Sequence, residues 1–421
     1  MLPVMIAAMT LLMLLGIPVA IAIGLASLIG ITSFMSVPLL VIPQQAYVAL
    51  DKFPLAAIPF FILAGNIMAA GGISRRLVEL VESVVHSLRG GILLTCIFTA
   101  LIFGAVSGSS VATTLAIGAV LIPAMVRRGY PVGFAAALQA TAAELSVLIP
   151  PSIPMIIYGL AANVSVGDLF IAGLGPGALV AVALSAFVLI YTRLRGYVET
   201  KPDARPAFLP ALRNASLALL MPVIVLGGIY GGVFTPTEAS VIAVGYALVV
   251  SVLIYRELDL RGLADVIRRS AISASLVMFI VSMAGVFSFV LTRAGVPAAI
   301  GAWIVETFTT PVGFLIAVNL FLFVMGMFVE TSASIVVLAP ILAPVATQYG
   351  IDPTHFGIIM IFNLALGMIT PPLGVNLFAA CAVANIGIEK MIPHLVPLVG
   401  LILLCLVVVT FVPAVTLFLI N

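Results

Sequence analysis

Residues 148–159 read LIPPSIPMIIYG, and residues 369–378 read ITPPLGVNLF. Each stretch places a Pro-Pro pair inside an otherwise apolar run. A proline removes one backbone hydrogen-bond donor of a helix and clashes with an earlier carbonyl group. Two prolines in succession therefore predict a helix that opens at the pair instead of merely bending there.

The two Pro-Pro pairs belong to a longer repeated pattern. Four features of the first copy recur 221 positions later: Pro123, Gly129, Pro150 and Pro151 correspond to Pro344, Gly350, Pro371 and Pro372. Upstream, AGGISRRL from Ala70 resembles RAGVPAAI from Arg293 if a gap of two residues is allowed. Repeats that each contain a broken helix are typical of membrane transporters with a site between the repeats.

The composition requires a bilayer as the solvent. The chain has 421 residues, of which 63% are hydrophobic and 8% are charged, with a mean hydropathy of +1.36. So few charges would not cover the surface of a soluble protein of this length. The apolar runs are continuous instead of alternating, which favours spanning helices over a barrel. The net charge of +2, carried in short loops, does not indicate nucleic-acid binding.

The apolar runs predict an all-α polytopic membrane protein. Predicted spans lie at about 3–30, 54–70, 133–160, 169–192, 214–230, 236–255, 270–291, 356–383 and 393–420. Two further runs, 91–126 and 311–345, are too long for one span and are interrupted by SGSS at 107–110 and ETSAS at 330–334. We interpret both as helical hairpins.

The hairpins are predicted to be re-entrant, turning back inside the membrane. As a helix, residues 91–106 would span roughly 24 Å, whereas the hydrocarbon core is about 30 Å thick. Gly108 permits a sharp reversal, and serine hydroxyls can satisfy the backbone groups freed at a tip. The alternative is a tight polar turn at the far membrane surface. The second hairpin, with its similar tip, favours the re-entrant interpretation.

Loop charges predict the orientation, because cytoplasmic loops are rich in Lys and Arg. Threading the spans with a cytoplasmic N-terminus and a periplasmic C-terminus places 15 of the 17 Lys and Arg on the cytoplasmic side, leaving only Lys52 and Arg293 outside. The first hairpin then opens inward and the second outward, so the repeats are inverted. Span 214–230 serves as a linker helix, and residues 193–213 form a cytoplasmic loop.

This threading divides the chain into a scaffold and two transport-domain repeats. Residues 54–160 and 270–383 form the repeats, while 1–53, 161–269 and 384–421 form the scaffold. The amphipathic segments 74–89 and 296–308 precede the two hairpins in matching positions. We interpret them as interfacial arms between a moving and a fixed part.

Three glutamates fall in or beside apolar runs, where an acid by default suggests a site. Glu330 stands at the second hairpin tip and is either a cation or proton ligand, or a helix-capping or structural carboxylate. Glu144 lies six residues before the first Pro-Pro pair, with a functional and a structural interpretation equally open. Glu238 follows Thr-Pro-Thr at a helix start, so capping is favoured for it.

Neutral oxygens surround both breaks. The side chains concerned are Ser146, Ser152, Asn363, Thr370 and Asn376. Such oxygens, with carbonyls freed by the prolines, suit a dehydrated Na⁺, while the following half-helix presents its positive end to an anion. His86, His355 and His394 lie near span ends without metal-ligand spacing and are interpreted as surface or interfacial residues.

Several motifs resemble one family. They are FFILAGNIMAAGGISRRLV at 60–78, SGSSVATTLAIGAVLIPAM at 107–125, LIPPSIPMIIYG at 148–159 and GGVFTPTEASVIAVGYAL at 231–248. These stretches resemble the large membrane subunit of tripartite ATP-independent periplasmic (TRAP) transporters, and the resemblance runs essentially end to end.

The resemblance implies a secondary transporter of the bacterial inner membrane, driven by a sodium gradient and moving by an elevator mechanism. It implies two partners, a soluble periplasmic binding protein and a separate small membrane subunit of about four helices. The implied substrates are organic acids, such as C4-dicarboxylates, sialic acid and other sugar acids.

The resemblance, together with the breaks and tips, assigns candidate ligands residue by residue. The candidate Na⁺ ligands are Ser107, Gly108, Ser109, Ser110, Thr113, Ser146, Pro150, Glu330, Thr331, Ser332, Ser334, Gly367, Thr370 and Pro371. The candidate substrate ligands are Ser109, Ser110, Pro151, Ser152, Ser332, Asn363, Pro372 and Asn376.

Other functions remain as alternatives. A self-sufficient sodium-coupled carboxylate carrier would need no binding protein but would share the inverted repeats. An intramembrane enzyme is disfavoured, since the sequence has no cluster of His, Asp and Glu within an apolar run. A passive channel is disfavoured because hairpins that stop midway suit alternating access.

Overall fold

The computed structural model describes residues 1–196 and 207–420, and every regular element in these ranges is helical. The helices are α1 Leu2–Leu14, α2 Val19–Phe34, α3 Val41–Leu50, α4 Ala57–Ala70, α5 Ile73–Val85, α6 Gly91–Ser107, α7 Ser110–Arg127, α8 Val132–Ala143, α9 Leu145–Leu148, α10 Ile153–Ala162, α11 Val166–Leu194, α12 Phe208–Tyr230, α13 Pro236–Leu248, α14 Leu260–Arg293, α15 Val296–Thr307, α16 Pro311–Phe328, α17 Thr331–Gln348, α18 Pro353–Met368, α19 Val375–Ala384, α20 Ile392–Phe411 and α21 Ala414–Leu417. Short 3₁₀ turns lie at Phe53–Ala56 and Ile388–Lys390, and a π-helical segment, Val249–Ile254, continues α13.

The predicted class, an all-α polytopic membrane protein, is confirmed. Within the described residues, nine helical segments are long and apolar enough to cross a membrane. A tenth span is added if the bent pair Val132–Leu148 and Ile153–Ala162 counts as one. The side of the membrane on which each end lies stays a prediction.

The sequence repeat is also a repeat of structure. Helices α7 and α17 begin at Ser110 and Thr331 and end at Arg127 and Gln348, which are pairs 221 positions apart. Each is preceded by a short turn and by another helix, α6 or α16. Helix α6 packs along α7, whereas α16 meets α17 over only a few residues. Both predicted hairpins are therefore present, while the depth at which their tips stop stays a prediction.

Both predicted breaks are present as well. The first lies between α9 and α10, where the chain bends by 44°, and the second lies between α18 and α19. The peptide bonds Pro150-Pro151 and Pro371-Pro372 are cis. Each half-helix after a break ends on an asparagine with positive φ, 56° at Asn163 and 52° at Asn385.

The repeats pack by exchanging their half-helices. Within each repeat the hairpin contacts its own broken helix, α7 against α8 and α16 against α18. Across the repeats, α10 of the first packs on α17 of the second, and α19 of the second packs on α7 of the first. One continuous buried core runs through this arrangement, so the two tips and the two breaks are held together.

The predicted span at 3–30 is wrong. The chain turns back at residues 15–18, where Gly16 has a φ of +80° and Pro18 precedes α2. A Cβ atom added at Gly30 in α2 would lie 2.6 Å from the Met5 sulfur in α1, so the two helices lie side by side. Residues 2–34 are thus a helical hairpin. The predicted cytoplasmic N-terminus assumed one membrane crossing in this segment, and the hairpin removes that crossing.

Smaller differences lie in the scaffold. The predicted segment before residue 53 contains an additional helix, α3, and the span at 270–291 extends to Leu260–Arg293. The last span ends at Phe411 and is followed by the short α21. The predicted arms are the helices α5 and α15. Part of the predicted loop at 193–213 lies outside the described residues, and α11 and α12 flank it.

Candidate functional site

Both hairpin tips open into one cavity of about 310 Å³. The first tip contributes Ser107, Gly108, Ser109, Ser110, Val111, Ala112 and Leu115, and the second contributes Glu330, Thr331 and Ser332. Val147, Ile153 and Pro154 of the first broken helix, Met368 of the second, and Ile62, Gly65, Asn66, Ser273 and Val277 of α4 and α14 complete the lining. The cavity therefore lies between the two hairpin tips, the two broken helices, and the helices α4 and α14.

The first tip is held by hydroxyl groups. Ser146 Oγ donates to Thr113 Oγ1 at 2.7 Å, and Thr113 Oγ1 donates to the carbonyl oxygen of Ser109 at 2.9 Å. Ser107 Oγ lies 2.9 Å from Thr113 Oγ1. Ser109 is the N-cap of α7 and accepts from the backbone nitrogen of Ala112 at 3.4 Å. Thr113 therefore joins the tip to the first broken helix.

The same tip docks on the first break. The backbone nitrogen of Ile153 donates to the Gly108 carbonyl oxygen at 3.3 Å. A Cβ atom at Gly108 would lie 2.5 Å from the Pro151 carbonyl oxygen, and the φ of Gly108 is +60°. Only glycine combines this backbone angle with so close an approach.

The second tip is held by its own acid. Glu330 is the N-cap of α17: Oε2 accepts from the backbone nitrogen of Ala333 at 3.2 Å, and Oε1 accepts from Ser332 Oγ at 2.9 Å. Thr331 Oγ1 donates to Met368 Sδ at 2.9 Å. The capping interpretation of Glu330 is thus supported by geometry, while its carboxylate also lines the cavity.

The second tip docks on the second break as the first does on its own. The backbone nitrogen of Gly374 donates to the Met327 carbonyl oxygen at 3.4 Å. Gly326 of α16 faces Gly367 of α18, because a Cβ atom at Gly326 would lie 3.1 Å from the Gly367 Cα. In the first repeat, Gly104 meets Ser146 at the equivalent place, with 2.6 Å from its added Cβ to the Ser146 Cα.

Seven of the predicted site residues line the cavity: Ser107, Gly108, Ser109, Ser110, Glu330, Thr331 and Ser332. Thr113 and Ser146 lie directly behind the first tip. Pro150, Pro151, Pro371 and Pro372 form the breaks without lining the cavity. The hydroxyl oxygens of Ser152 and Ser334 are buried without a hydrogen-bond partner among the described residues.

Four other predicted site residues make contacts away from the cavity. Gly367 packs on Gly326, and Thr370 Oγ1 donates to the Leu366 carbonyl oxygen of its own helix at 2.8 Å. Asn363 Nδ2 donates to Asn319 Oδ1 of α16 at 2.7 Å, joining the second broken helix to the second hairpin. Asn376 donates to Glu144. Asn363 and Asn376 do not reach the cavity lining.

Sequence reasoning missed the wall of the cavity that α4 and α14 form. Asn66 of α4 donates to Ser270 Oγ of α14 at 2.9 Å, and Asn66 and Ser273 face the two tips. An asparagine inside the apolar run FFILAGNIMAA was the available signal. That signal is weak, because an isolated polar residue in an apolar span has no repeat partner.

Two further predictions about polar residues have opposite outcomes. Glu238 forms a capping box with Thr235: its backbone nitrogen donates to Thr235 Oγ1 at 3.3 Å, and Thr235 N donates to its Oε2 at 2.8 Å. The interpretation of His355 as a surface residue is wrong, since His355 is 2% exposed and its Nδ1 lies 2.7 Å from Thr416 Oγ1. The partner on α21 explains its burial.

The charged and polar groups around the cavity suit one anion and one cation. Among the lining residues, Glu330 is the one ionisable side chain. Helices α7, α10 and α17 begin at Ser110, Ile153 and Thr331, which all line the cavity. Helix N-termini carry partial positive charge and stabilise anions, whereas the hydroxyls and the carboxylate suit a hard cation.

This arrangement defines the class: a polytopic helical transporter with paired hairpins and broken helices around one internal cavity. Two solved transporters share the fold. The YdaH transporter of Alcanivorax borkumensis matches with a TM-score of 0.63 and 16% identity, covering 88% of this chain and 87% of that one. MtrF of Neisseria gonorrhoeae matches with a TM-score of 0.65 and 14% identity, covering 96% and 94%.

The chain belongs to the family described as "Tripartite ATP-independent periplasmic transporter, DctM component", which it matches over residues 6–415. The resemblance seen in the sequence is thereby confirmed. The chain is 43% identical to the isethionate TRAP transporter permease protein DctMQ of Oleidesulfovibrio alaskensis, matching 99% of this chain and 66% of that protein. It is 38% identical to the C4-dicarboxylate TRAP transporter large permease protein DctM of Rhodobacter capsulatus, over 97% of this chain and 96% of that protein.

Proposed function

We propose that the chain is the membrane subunit through which a TRAP transporter imports an organic acid, driven by a sodium gradient. The observation that carries the proposal is the meeting of the two repeat-related tips, Ser107–Ser110 and Glu330–Ser332, in one cavity. A transporter that couples an ion to a substrate needs both sites on one unit, so that they are exposed to either side together.

Sodium would be held by the oxygens at the tips and behind them. The hydroxyls of Ser107, Thr113 and Ser146 form one cluster on the first repeat. Glu330, Ser332 and the unpartnered hydroxyl of Ser334 lie on the second. Oxygen donors of this kind fit a dehydrated hard cation.

The substrate would be an anion of a few carbon atoms. A cavity of about 310 Å³ without a Lys or Arg lining it would hold a carboxylate against the N-termini of α7 and α10. Relatives named for isethionate and C4-dicarboxylate permeases support an organic acid. Another relative, 37% identical, is named as the ectoine/5-hydroxyectoine TRAP transporter large permease protein UehC of Ruegeria pomeroyi, so relatives are also named for other solutes.

Movement would follow an elevator model in the bacterial inner membrane. The hairpins and broken helices would form the moving unit, which slides against a scaffold of other spans. The family described above is tripartite, so a periplasmic binding protein and a small membrane subunit would complete the transporter.

Uptake in proteoliposomes tests the proposal. The chain would be reconstituted with its small membrane subunit under an inward sodium gradient and offered labelled organic acids, with and without the binding protein. We expect uptake only when sodium and the binding protein are both present. Sodium-driven uptake without the binding protein would instead indicate a self-sufficient carboxylate carrier, and uptake indifferent to sodium would contradict the coupling.

A further inference from the structure

A second cavity, of about 350 Å³, lies where the arm α5, the helix α12 and the end of the π-helical segment meet. It is separate from the cavity between the tips, since different residues line the two. The side chains that matter here are Arg75, Arg76 and Glu79 of α5, Arg213 and Leu217 of α12, and Tyr255. Three arginines from two helices therefore face one space.

Arg76 is held in place by its neighbours. Its Nη2 atom lies 2.6 Å from Glu257 Oε1, and its Cζ atom lies 3.7 Å from the centre of the Tyr255 ring. The Tyr255 hydroxyl in turn donates to the Asn214 carbonyl oxygen of α12 at 2.7 Å. A guanidinium group has five N–H donors, so these contacts leave donors of Arg76 for a further acceptor.

The positive charge of this cavity exceeds the negative charge. Arg75 shares the Glu257 carboxylate with Arg76, and it lies 3.9 Å from Glu79. Arg213 is exposed and forms no ion pair within the described part of the chain. Three arginines thus meet two carboxylates, which leaves one positive charge for an anion. Phosphate oxygens match the planar fork of a guanidinium group well.

The basic pair is not required for the fold of an arm. Helices α5 and α15 both begin after a glycine with positive φ, 76° at Gly72 and 69° at Gly295. In the aligned stretches AGGISRRL and RAGVPAAI, alanines of α15 stand where α5 has Arg75 and Arg76. Since the same helix start forms without arginines, the pair on α5 indicates a ligand.

The cavity lies where apolar surface meets polar surface. Arg213 is in the second turn of α12, and Tyr255 directly follows the π-helical segment, so both mark the ends of spanning segments. Farther along these segments the exposed side chains are apolar, namely Leu220, Val223, Val249 and Leu253. A basic pocket at helix ends beside apolar surface is typical of a site for an anionic lipid headgroup.

We propose that this cavity binds the phosphodiester headgroup of an anionic phospholipid, with the acyl chains lying along α12 and the π-helical segment. Arg75 and Arg213 are the phosphate ligands, and Arg76, held by Glu257 and Tyr255, is the fixed base of the site. Free phosphate would satisfy the arginines alike, but the adjoining apolar side chains favour the lipid. Because α5 packs on α12, the bound lipid would join the arm to that span.

Native mass spectrometry of the purified complex with its small subunit tests the site without transport. The delipidated complex would be titrated in detergent with dioleoylphosphatidylglycerol. We expect Arg213→Gln to weaken binding of one lipid molecule about fivefold, and the double variant Arg75→Gln with Arg213→Gln about 25-fold. The matched control is Arg261→Gln, since Arg261 is exposed in the first turn of α14 and does not line the cavity. It should bind the lipid as the wild type does.

Further titrations identify the ligand. Dioleoylphosphatidylcholine has the same acyl chains without a net charge and should bind more weakly; equal affinity for the two lipids would overturn the proposal. Displacement of the lipid by an equal concentration of inorganic phosphate would overturn the choice of a lipid.

The variants locate the site. Unchanged affinity in the double variant, or an equal loss in Arg261→Gln, would overturn it. Should the double variant not assemble, Arg213→Gln decides alone, because its side chain has no ion pair within the described ranges to lose; wild-type affinity there would equally overturn the site.

Discussion

Gly367 and Gly326 touch backbone to backbone where the second hairpin crosses the second broken helix. A Cβ atom at Gly367 would lie 2.3 Å from the carbonyl carbon of Gly326. Gly104 and Ser146 make the related contact in the first repeat. Each hairpin thus packs closely on its broken helix through small residues at equivalent positions of the two repeats. This close packing fixes the position of each tip.

Replacing Gly367 with alanine should therefore lower the free energy of unfolding by about 1–3 kcal/mol, because the added methyl group meets rigid backbone. Thermal unfolding of the purified complex measures the effect. Gly400→Ala is the control: Gly400 lies within α20 with nothing within 4 Å of an added Cβ, so its stability should be unchanged or higher. Equal unfolding temperatures for the two variants would contradict the contact.

Gly108→Ala should abolish uptake by lifting the first tip from the Pro151 carbonyl. Gly129→Ala isolates the cost of the backbone angle, since Gly129 has a φ of +93° but nothing within 4 Å of an added Cβ. We expect Gly129→Ala to fold with a modest loss of stability and to retain uptake. If both variants transport equally, the docking of the tip on the break is not needed.

Bulky apolar side chains at the tips should block the cavity. Ser109→Leu, Ser110→Leu and Ser332→Leu are each expected to eliminate sodium-coupled uptake while expression is kept. Ser216→Leu, on an exposed position of α12, should transport normally. Undiminished uptake by all three tip variants would show that the site lies elsewhere.

Ser146→Ala should raise the sodium concentration needed for half-maximal uptake, because it removes the donor that orients Thr113 Oγ1 behind the first tip. Thr141→Ala is a matched change in the same broken helix, where the hydroxyl is buried but bonds only to Ala137 of its own turn. Its sodium dependence should equal that of the wild type. A parallel shift in both variants would indicate a general loss of packing.

The arm α5 is joined to the base of the first hairpin by the ion pair of Glu82 and Arg128. Both side chains are largely buried, 15% and 10% exposed, and breaking a buried pair costs about 3–5 kcal/mol. Glu82→Gln should accordingly lower the unfolding temperature. Asp265→Asn removes an exposed pair with Arg268, 63% and 70% exposed, and should change it little.

Periodic and repeated features were predictable from the sequence, and contacts across the repeats were not. The Pro-Pro pairs and the SGSS and ETSAS tips identified both breaks and both hairpins, because proline and glycine act on the backbone locally. The sequence predicts one span at about 3–30 in place of the helices α1 and α2, since Gly16 and Pro18 lie in an apolar run long enough to cross. Asn66 and the pairing of Asn376 with Glu144 depend on residues far apart in the chain, which no local pattern relates.

The exchanged half-helices have a mechanical consequence. Helix α10 of the first repeat packs on α17 of the second hairpin, and α19 of the second repeat packs on α7 of the first hairpin. Neither hairpin can swing open alone without uncovering an apolar face of the opposite half-helix. On the elevator model proposed above, the two tips would therefore move together as one body against the helices that surround them.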